Sequence, residues 1–219
     1  KKSETPHILK RGQAALYRQH DRPMGTLIRH IAVWLSRIAY CRGFGIQSPS
    51  AYAFVRYVIN EHYPYYAYRQ LDSAAPSLSR ADRKRMRLCL RVANQLQPQY
   101  IVDQQDGLSQ LRRQYFEAGC RSARHIGLAE GLAPQVQRAS RLIRVSATAT
   151  DAATIGQLCA SADSHTMLIV DHIAHDRHTR QLWRQVVDAP HTGVSYDLYY
   201  CGIACFDRSK YKRNYKINF

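Results

Sequence analysis

From residue 98 to residue 206 the apolar positions come in short runs, separated by polar segments with helical spacing. Tyr100-Ile101-Val102-Asp103 is such a run. It enters the polar turn Gln104-Gln105-Asp106-Gly107, and a helical pattern follows over Ser109–Ala118. Ser122–Leu128 reads as a second strand ending at Ala129-Glu130-Gly131. Pro134–Ala139 reads as a short helix, Leu142–Ala147 as a strand and Asp151–Ala160 as a helix. Thr166–Val170 is the clearest buried strand, and it ends in Asp171-His172-Ile173-Ala174-His175-Asp176. Thr179–Val187 sets Leu182, Trp183 and Val186 on one helical face. Gly193–Tyr200 and Gly202–Phe206 read as an antiparallel hairpin at one sheet edge. Strands that alternate with helices of this length predict an α/β domain over 98–219, with a Rossmann-like sheet and helices on both faces.

The first half of the chain has a different rhythm. Residues 1–25 are basic, polar and aperiodic, the pattern of an arm that orders on a partner. An N-terminal helical extension is expected over 26–97. Leu27, Ile31, Trp34, Leu35 and Ile38 share one face of a helix beginning at Thr26. Packing on its own domain is the ordinary role of such a face, and a membrane surface is the weaker reading. Gly43–Pro49 breaks that helix, and Ser48-Pro49 starts another with Ser48 as N-cap and Pro49 at N1. Tyr52, Val55, Val58 and Ile59 give it an apolar face. The cluster His62-Tyr63-Pro64-Tyr65-Tyr66-Ala67-Tyr68 ends it. Clustered tyrosines beside cations suit base stacking, although packed amphipathic aromatics are the commoner case. Ser79 caps a helix over Arg80–Leu96, with Met86, Leu90 and Ala93 inward.

Charge widens the picture. The chain carries 32 Lys+Arg against 16 Asp+Glu, a net +16. That excess attracts polyanions such as nucleic acid, ribonucleoprotein or an anionic surface, and says nothing about fold. Arg80, Arg83, Lys84, Arg85, Arg87 and Arg91 form a cationic stripe on the Arg80–Leu96 helix. The tail adds Arg208, Lys210, Lys212, Arg213 and Lys216, with Tyr211 and Tyr215 interleaved. Six cysteines show neither a CxxC pair nor a Cys/His zinc spacing. They read as reduced, partly buried thiols of a cytoplasmic protein. No apolar run reaches the roughly 18–20 residues of a spanning helix.

The strand–turn–helix at 100–118 sits where an α/β fold opens a nucleotide site, because turn amides and a helix N-terminus face the ligand. The turn is poor in glycine, with Gly107 alone beside the bulky Gln104 and Gln105. Glu130 stands near the position where such folds hydrogen-bond a ribose. At the later strand end, His172 or His175 has the chemistry of a general base, and Asp171 that of a lone oxygen ligand. Surface histidines on a loop are the ordinary alternative, and no metal site is assigned.

Three stretches carry a resemblance to a family. The first is Gly43-Phe44-Gly45-Ile46-Gln47-Ser48-Pro49 with Tyr52, Phe54 and Val55, followed by Pro64-Tyr65-Tyr66-Ala67-Tyr68. The second is Leu168-Ile169-Val170-Asp171-His172-Ile173-Ala174-His175 with Trp183. The third is Val194 to Phe206, with Asp197-Leu198-Tyr199 and Gly202-Ile203. Together they resemble an uncharacterised, Bacteroidetes-type group of class I S-adenosylmethionine-dependent methyltransferase-like proteins, over roughly residues 27–219. The resemblance implies a Rossmann-like methyltransferase sheet with a C-terminal antiparallel hairpin. It also implies a site in which Asp103, Gly107 and Glu130 hold the cofactor and Asp171, His172 and His175 stand at the reacting centre.

The departures point the other way. The family's first strand ends in a glycine-rich E-L-G-T-S-x-G pattern. Here Gln105 and Ser109 replace the glycines, so glutamine side chains compete for the space of the cofactor's methionine part. The family's I-D-G-N-H strand end is matched by Val145-Ser146-Ala147-Thr148-Ala149, which has no carboxylate. Between Glu130 and Thr166 a strand–helix unit looks shrunken or lost. The expectation is therefore a methyltransferase-like protein with weakened or lost cofactor chemistry, acting as a basic binding or assembly module for a polyanion or a protein complex. Its contacts would include Arg80, Arg83, Lys84, Arg87, Arg91, Lys210, Lys212, Arg213 and Lys216. The alternative is an active methyltransferase on an anionic, RNA-like acceptor. The two separate on whether Gln104 or Gln105 fills the crevice beside the first strand.

Overall fold

A computed structural model describes residues 23–61, 63–137 and 139–219. Most of the arm expected over 1–25 lies outside the described residues. The chain divides into two units, Lys1–Ser36 and Arg37–Phe219. The first contains the helix α1 (Pro23–Ser36), which starts three residues before the expected Thr26 and ends before Ile38. The second contains everything else. Within this unit the helical segments Pro49–Phe54, Val55–Ile59 and Arg80–Leu96, part of the helical extension expected up to residue 97, share a core with the sheet.

The second unit opens with a 3-10 turn over Ile38–Gly43. Gly43 and Gly45, both with positive φ, then turn the chain sharply. Helix α2 (Pro49–Phe54) starts at Ser48, whose side chain accepts from the Ala51 amide. It runs into a π-helical turn over Val55–Ile59. After α3 (Tyr66–Ser73) comes α4 (Arg80–Leu96), capped by Ser79 and stopped by Gln97 in the left-handed region just before Pro98. Then follow β1 (Tyr100–Asp103), α5 (Ser109–Gly119), β2 (Arg124–Ile126), the short turns α6 (Leu128–Gly131) and α7 (Pro134–Gln137), and β3 (Arg141–Ser146). The chain continues through α8 (Ala152–Ala160), β4 (Thr166–Asp171), α9 (Arg177–Asp188), β5 (Val194–Asp197), β6 (Cys201–Cys205) and β7 (Arg213–Lys216).

The seven strands form one sheet in the order β2-β1-β3-β4-β6-β5-β7. Only β6 runs antiparallel to its neighbours. The order reverses between β1 and β3, the topological switch point of an open α/β sheet, and both are parallel there. Strand alternation feeds two cores. Ile101, Leu142, Met167, Ile169 and Ile203 face the layer of α2, the π turn, α4 and α5. Val102, Ile143, Val145, Leu168 and Val170 face the layer of α8 and α9. This α/β sheet with helices on both faces is what the periodicity predicts.

Two expectations are corrected. The hairpin is not at the sheet edge: β6 is inserted between β4 and β5, and the first hairpin strand stops at Asp197 rather than Tyr200. The basic tail, given no strand in the sequence reading, carries the edge strand β7 at its centre, parallel to β5. A buried arginine holds this end. Arg37 donates to the carbonyls of Asp197 (2.8 Å) and Ile217 (3.2 Å) and to the Asp197 carboxylate (2.8 Å), tying the ends of β5 and β7 together. Tyr215 stacks on Tyr196, which in turn meets Phe54.

Close approach of α4 to α5 depends on one glycine. A Cβ at Gly119 would lie 2.2 Å from the Leu90 carbonyl oxygen, whereas one at Gly127 would meet nothing within 4 Å. Gly119→Ala is expected to destabilise the fold by about 3 kcal/mol, because a helix backbone must move. Gly127→Ala should change stability by less than about 0.5 kcal/mol. Denaturant unfolding of the two variants checks this, and equal stabilities would contradict the α4–α5 contact.

Candidate functional site

Strand register sets charged residues side by side at the switch point. Asp103 on β1 pairs in register with Arg144 on β3, and Ser146 with Asp171 on β4. Period-two alternation turns Asp103, Arg144, Ser146 and Asp171 toward the α4/α5 layer. An arginine inside the run Leu142-Ile143-Arg144-Val145 would be costly there unless it were paired.

The pairing is extensive. The Arg144 side chain, 2 % exposed, donates to the Asp171 carboxylate at 2.7 and 2.9 Å and to Asp106 at 2.7 Å. A further 3.6 Å contact reaches Asp103. Arg112, projecting from α5, donates through Nε to both oxygens of Asp103 and through Nη2 to Asp106 at 2.6 Å. Asp106 also accepts from the Leu108 amide and so fixes the turn into α5. Arg85, reaching in from α4 and paired with Asp82, supplies a third positive charge near Asp171. Three carboxylates thus face three guanidinium groups. Burial pushes the Asp171 carboxyl up, but Arg144 and Arg85 prevail and hold it at about 2. Asp106 is likewise drawn down against its burial by Arg144 and Arg112.

Gln104 bridges two loops above this network. Its Oε1 accepts from the Ser146 amide at 2.8 Å and from the Thr150 hydroxyl at 3.1 Å, and its Nε2 donates to the Ala149 carbonyl at 2.8 Å. One side chain therefore spans from the end of β1 to the loop after β3, across the gap where an open α/β sheet takes its ligand. Gln105 is exposed and takes no such part.

The residues expected to bind cofactor are not brought together. Asp103 is committed to Arg112 beneath the α5 layer. Gly107 is exposed in the turn before α5. Glu130 is exposed on α6, where it meets only the exposed Arg124 at 3.3 Å. The neighbouring Gly131 rests on Val102, whose side chain points to the opposite sheet face from Asp103.

The expected reacting centre is likewise taken apart. Asp171 is a buried counter-ion. His172, with φ 61, places Nδ1 2.9 Å from the Ser146 hydroxyl. Burial, and then the nearby Arg85, lowers its pKa to about 4, so the ring is neutral and a weak base at neutral pH. Among the described residues, no carboxylate is hydrogen-bonded to this Ser–His pair in the way a nucleophilic triad requires. His175 is exposed, and Asp176 is the N-cap of α9 in a capping box with Thr179. Among the described residues, no three His, Cys, Asp or Glu side chains are grouped to hold a metal ion.

The cationic stripe is also revised. Arg91 is buried and donates to the Val58 and Ile59 carbonyls and to the Tyr68 hydroxyl, so it is a structural clamp rather than a polyanion contact. Arg87 pairs with Asp72 and lies over the Tyr68 ring. Arg83 donates to the Ala75 and Pro76 carbonyls. Arg80 and Lys84 remain exposed. Lys210, Lys212, Arg213 and Lys216 are all exposed around β7, although Lys212 also donates to the Ala189 carbonyl and Lys210 lies 3.4 Å from Asp207. Lys84 sits over the Phe219 ring, which joins the α4 cations to the tail.

Sequence reasoning missed Arg112, Arg144 and Arg37. The signal for Arg144 was present, as a lone arginine at an inward position of an apolar strand. No family model and no curated protein matches this chain. Among the described residues no helix is long and apolar enough to cross a membrane.

The half-buried His172 makes stability depend on pH. Its folded pKa of about 4 lies below the ordinary 6.5, so the unfolded chain takes up the proton first as pH falls. The stabilisation is complete above pH 6.5 and is lost toward pH 4, by about 2–3 kcal/mol. Urea unfolding across this range should show the loss, and His172→Gln should remove that part of the slope. An unchanged slope would contradict the half-buried neutral ring.

Proposed function

We propose that this chain is a methyltransferase-like protein in which the cofactor crevice is closed by its own side chains, and that it works as a basic binding module for a polyanion. The observation that carries this reading is Gln104, bridging β1 to the loop after β3 through the Ser146, Ala149 and Thr150 contacts. S-adenosylmethionine binding to such a sheet needs an open, glycine-lined turn and a ribose-binding acid beside it. Here the turn acid Asp103 is spent on Arg112, and Glu130 is exposed on α6 and paired with Arg124. The methyltransferase likeness itself is supported by the sheet: the switch point lies between β1 and β3, and a C-terminal hairpin contributes the only antiparallel strand.

The binding role draws on charge. The fold leaves cations exposed at Arg80 and Lys84 on α4 and at Lys210, Lys212, Arg213 and Lys216 around β7, among others. The Lys84–Phe219 contact makes these one continuous region. Several exposed cations on one surface neutralise several phosphates or sulfates, with counter-ion release as the driving term.

Calorimetric titration with S-adenosylmethionine and S-adenosylhomocysteine tests the closed crevice. No heat is expected at millimolar ligand. Micromolar binding that Glu130→Ala abolishes would favour the active methyltransferase instead. Heparin tests the module. Affinity should fall steeply with salt, and replacing Lys212, Arg213 and Lys216 together with Ala should reduce the log–log salt slope by about 2–3. An unchanged slope would remove the β7 region as a contact.

A further inference from the structure

We infer that the exposed tyrosines Tyr57, Tyr63 and Tyr66, with Arg56 and Arg69 beside them, form a stacking platform for single-stranded nucleic acid. This rests on the polyanion reading above and names both the class of polyanion and a site separate from the β7 cations.

The tyrosines of this segment divide into two sets. Tyr65 and Tyr68 pack against each other at 5.4 Å between ring centroids, and Tyr68 is buried under α4. Tyr57, Tyr63 and Tyr66 are 62 %, 82 % and 81 % exposed. Packing therefore accounts for only part of the cluster. The frame under the exposed set is well buried: Val55, Val58 and Ile59 of the π turn and Ala67 of α3 all lie in the core.

That frame is also fixed by polar contacts. Arg91 holds the last carbonyls of the π turn and the Tyr68 hydroxyl with a single guanidinium, so it joins the π turn to α3. The Glu61 carboxylate accepts from the Tyr63 amide at 2.8 Å and sets the intervening bend. A π turn costs hydrogen-bond regularity and recurs at functional sites. Here it stands directly before the bend that carries Tyr63.

Spacing and charge fit a nucleic-acid strand. Chain length limits Tyr57 and Tyr63 to within about 20 Å of each other and Tyr63 and Tyr66 to within about 10 Å, a span covered by a few nucleotides. Arg56 and Arg69 flank the rings, and neither makes an ion pair among the described residues. Glu61 is the one carboxylate between residues 55 and 69. The nearby Asp72 is occupied by Arg87 and the Tyr115 hydroxyl. Exposed rings interleaved with cations bind unpaired bases, whose faces are free, and do not bind a duplex, whose faces are stacked inside.

The test compares a fluorescein-labelled oligouridylate of about twenty nucleotides with heparin, a polyanion that cannot stack, by anisotropy and competition at fixed salt. Tyr57→Ala/Tyr63→Ala/Tyr66→Ala should weaken oligouridylate binding by ~10-fold or more and leave heparin binding unchanged, whereas the triple Phe variant should bind as the wild type does. The substituted side chains are exposed, so the thermal midpoints should match. If the triple Ala variant binds oligouridylate as tightly as the wild type, or if wild-type protein binds a duplex equally well, the stacking platform is wrong. If wild-type protein binds heparin but not oligouridylate, the platform falls and the polyanion module stands. If it binds neither, both fall.

Discussion

Arg144 is the residue on which the centre of this molecule turns. It sits in the middle of an apolar strand, is shielded from water, and serves Asp171 and Asp106 directly while lying near Asp103. Each of these acids anchors a different element: β4, the β1–α5 turn and β1. Removing a guanidinium from such a cluster leaves carboxylates buried without charge compensation, which typically costs 3–5 kcal/mol. The network thus holds the carboxyl ends of three strands and the start of α5 in one arrangement. A cluster of this kind leaves a bound ligand little to organise, because the polar groups at the switch point already have partners.

The same logic runs outward. Arg112, Arg91 and Arg37 each take a buried position and bind carbonyls or carboxylates that would otherwise lack partners. Arg112 fixes α5 to β1, Arg91 fixes the π turn to α4 and α3, and Arg37 fixes the 3-10 turn to β5 and β7. Part of the basic composition is therefore structural. What remains for a partner is the exposed remainder, which includes the cations of β7 and α4 and the two arginines beside the exposed tyrosines.

Much of the fold was legible in the sequence, for identifiable reasons. The apolar run at Thr166–Asp171 can bury only as a central strand, and the Ser79 cap with Gln97-Pro98 brackets α4 cleanly. The switch-point turn was recognised from its strand–turn–helix order. Other parts were set by tertiary contacts that no local pattern encodes. Strand β7 reads as a polar tail because only Tyr215 among its residues is apolar, and pairing with β5 makes it a strand. Arg91 falls at helical spacing with Arg80, Lys84 and Arg87, so the pattern placed it on the outer stripe, yet the π turn passes over it. Asp171 looks like a reacting acid at a strand end until its partner on β3 is seen. The glutamines stand out in the sequence, and only the structure distinguishes Gln104, bonded to Ser146, Ala149 and Thr150, from the exposed Gln105.

One hydrogen bond of the proposed closed crevice can be observed in solution. Beyond the end of β1, the Ser146 amide is satisfied by the Gln104 side chain. Amide hydrogen exchange followed by NMR reads this directly. The account predicts strong protection of the Ser146 amide in the wild type and a selective loss in Gln104→Ala, with the rest of β3 unchanged. Rapid exchange at Ser146 in the wild type, or protection that survives Gln104→Ala, would contradict the claim that this glutamine closes the site.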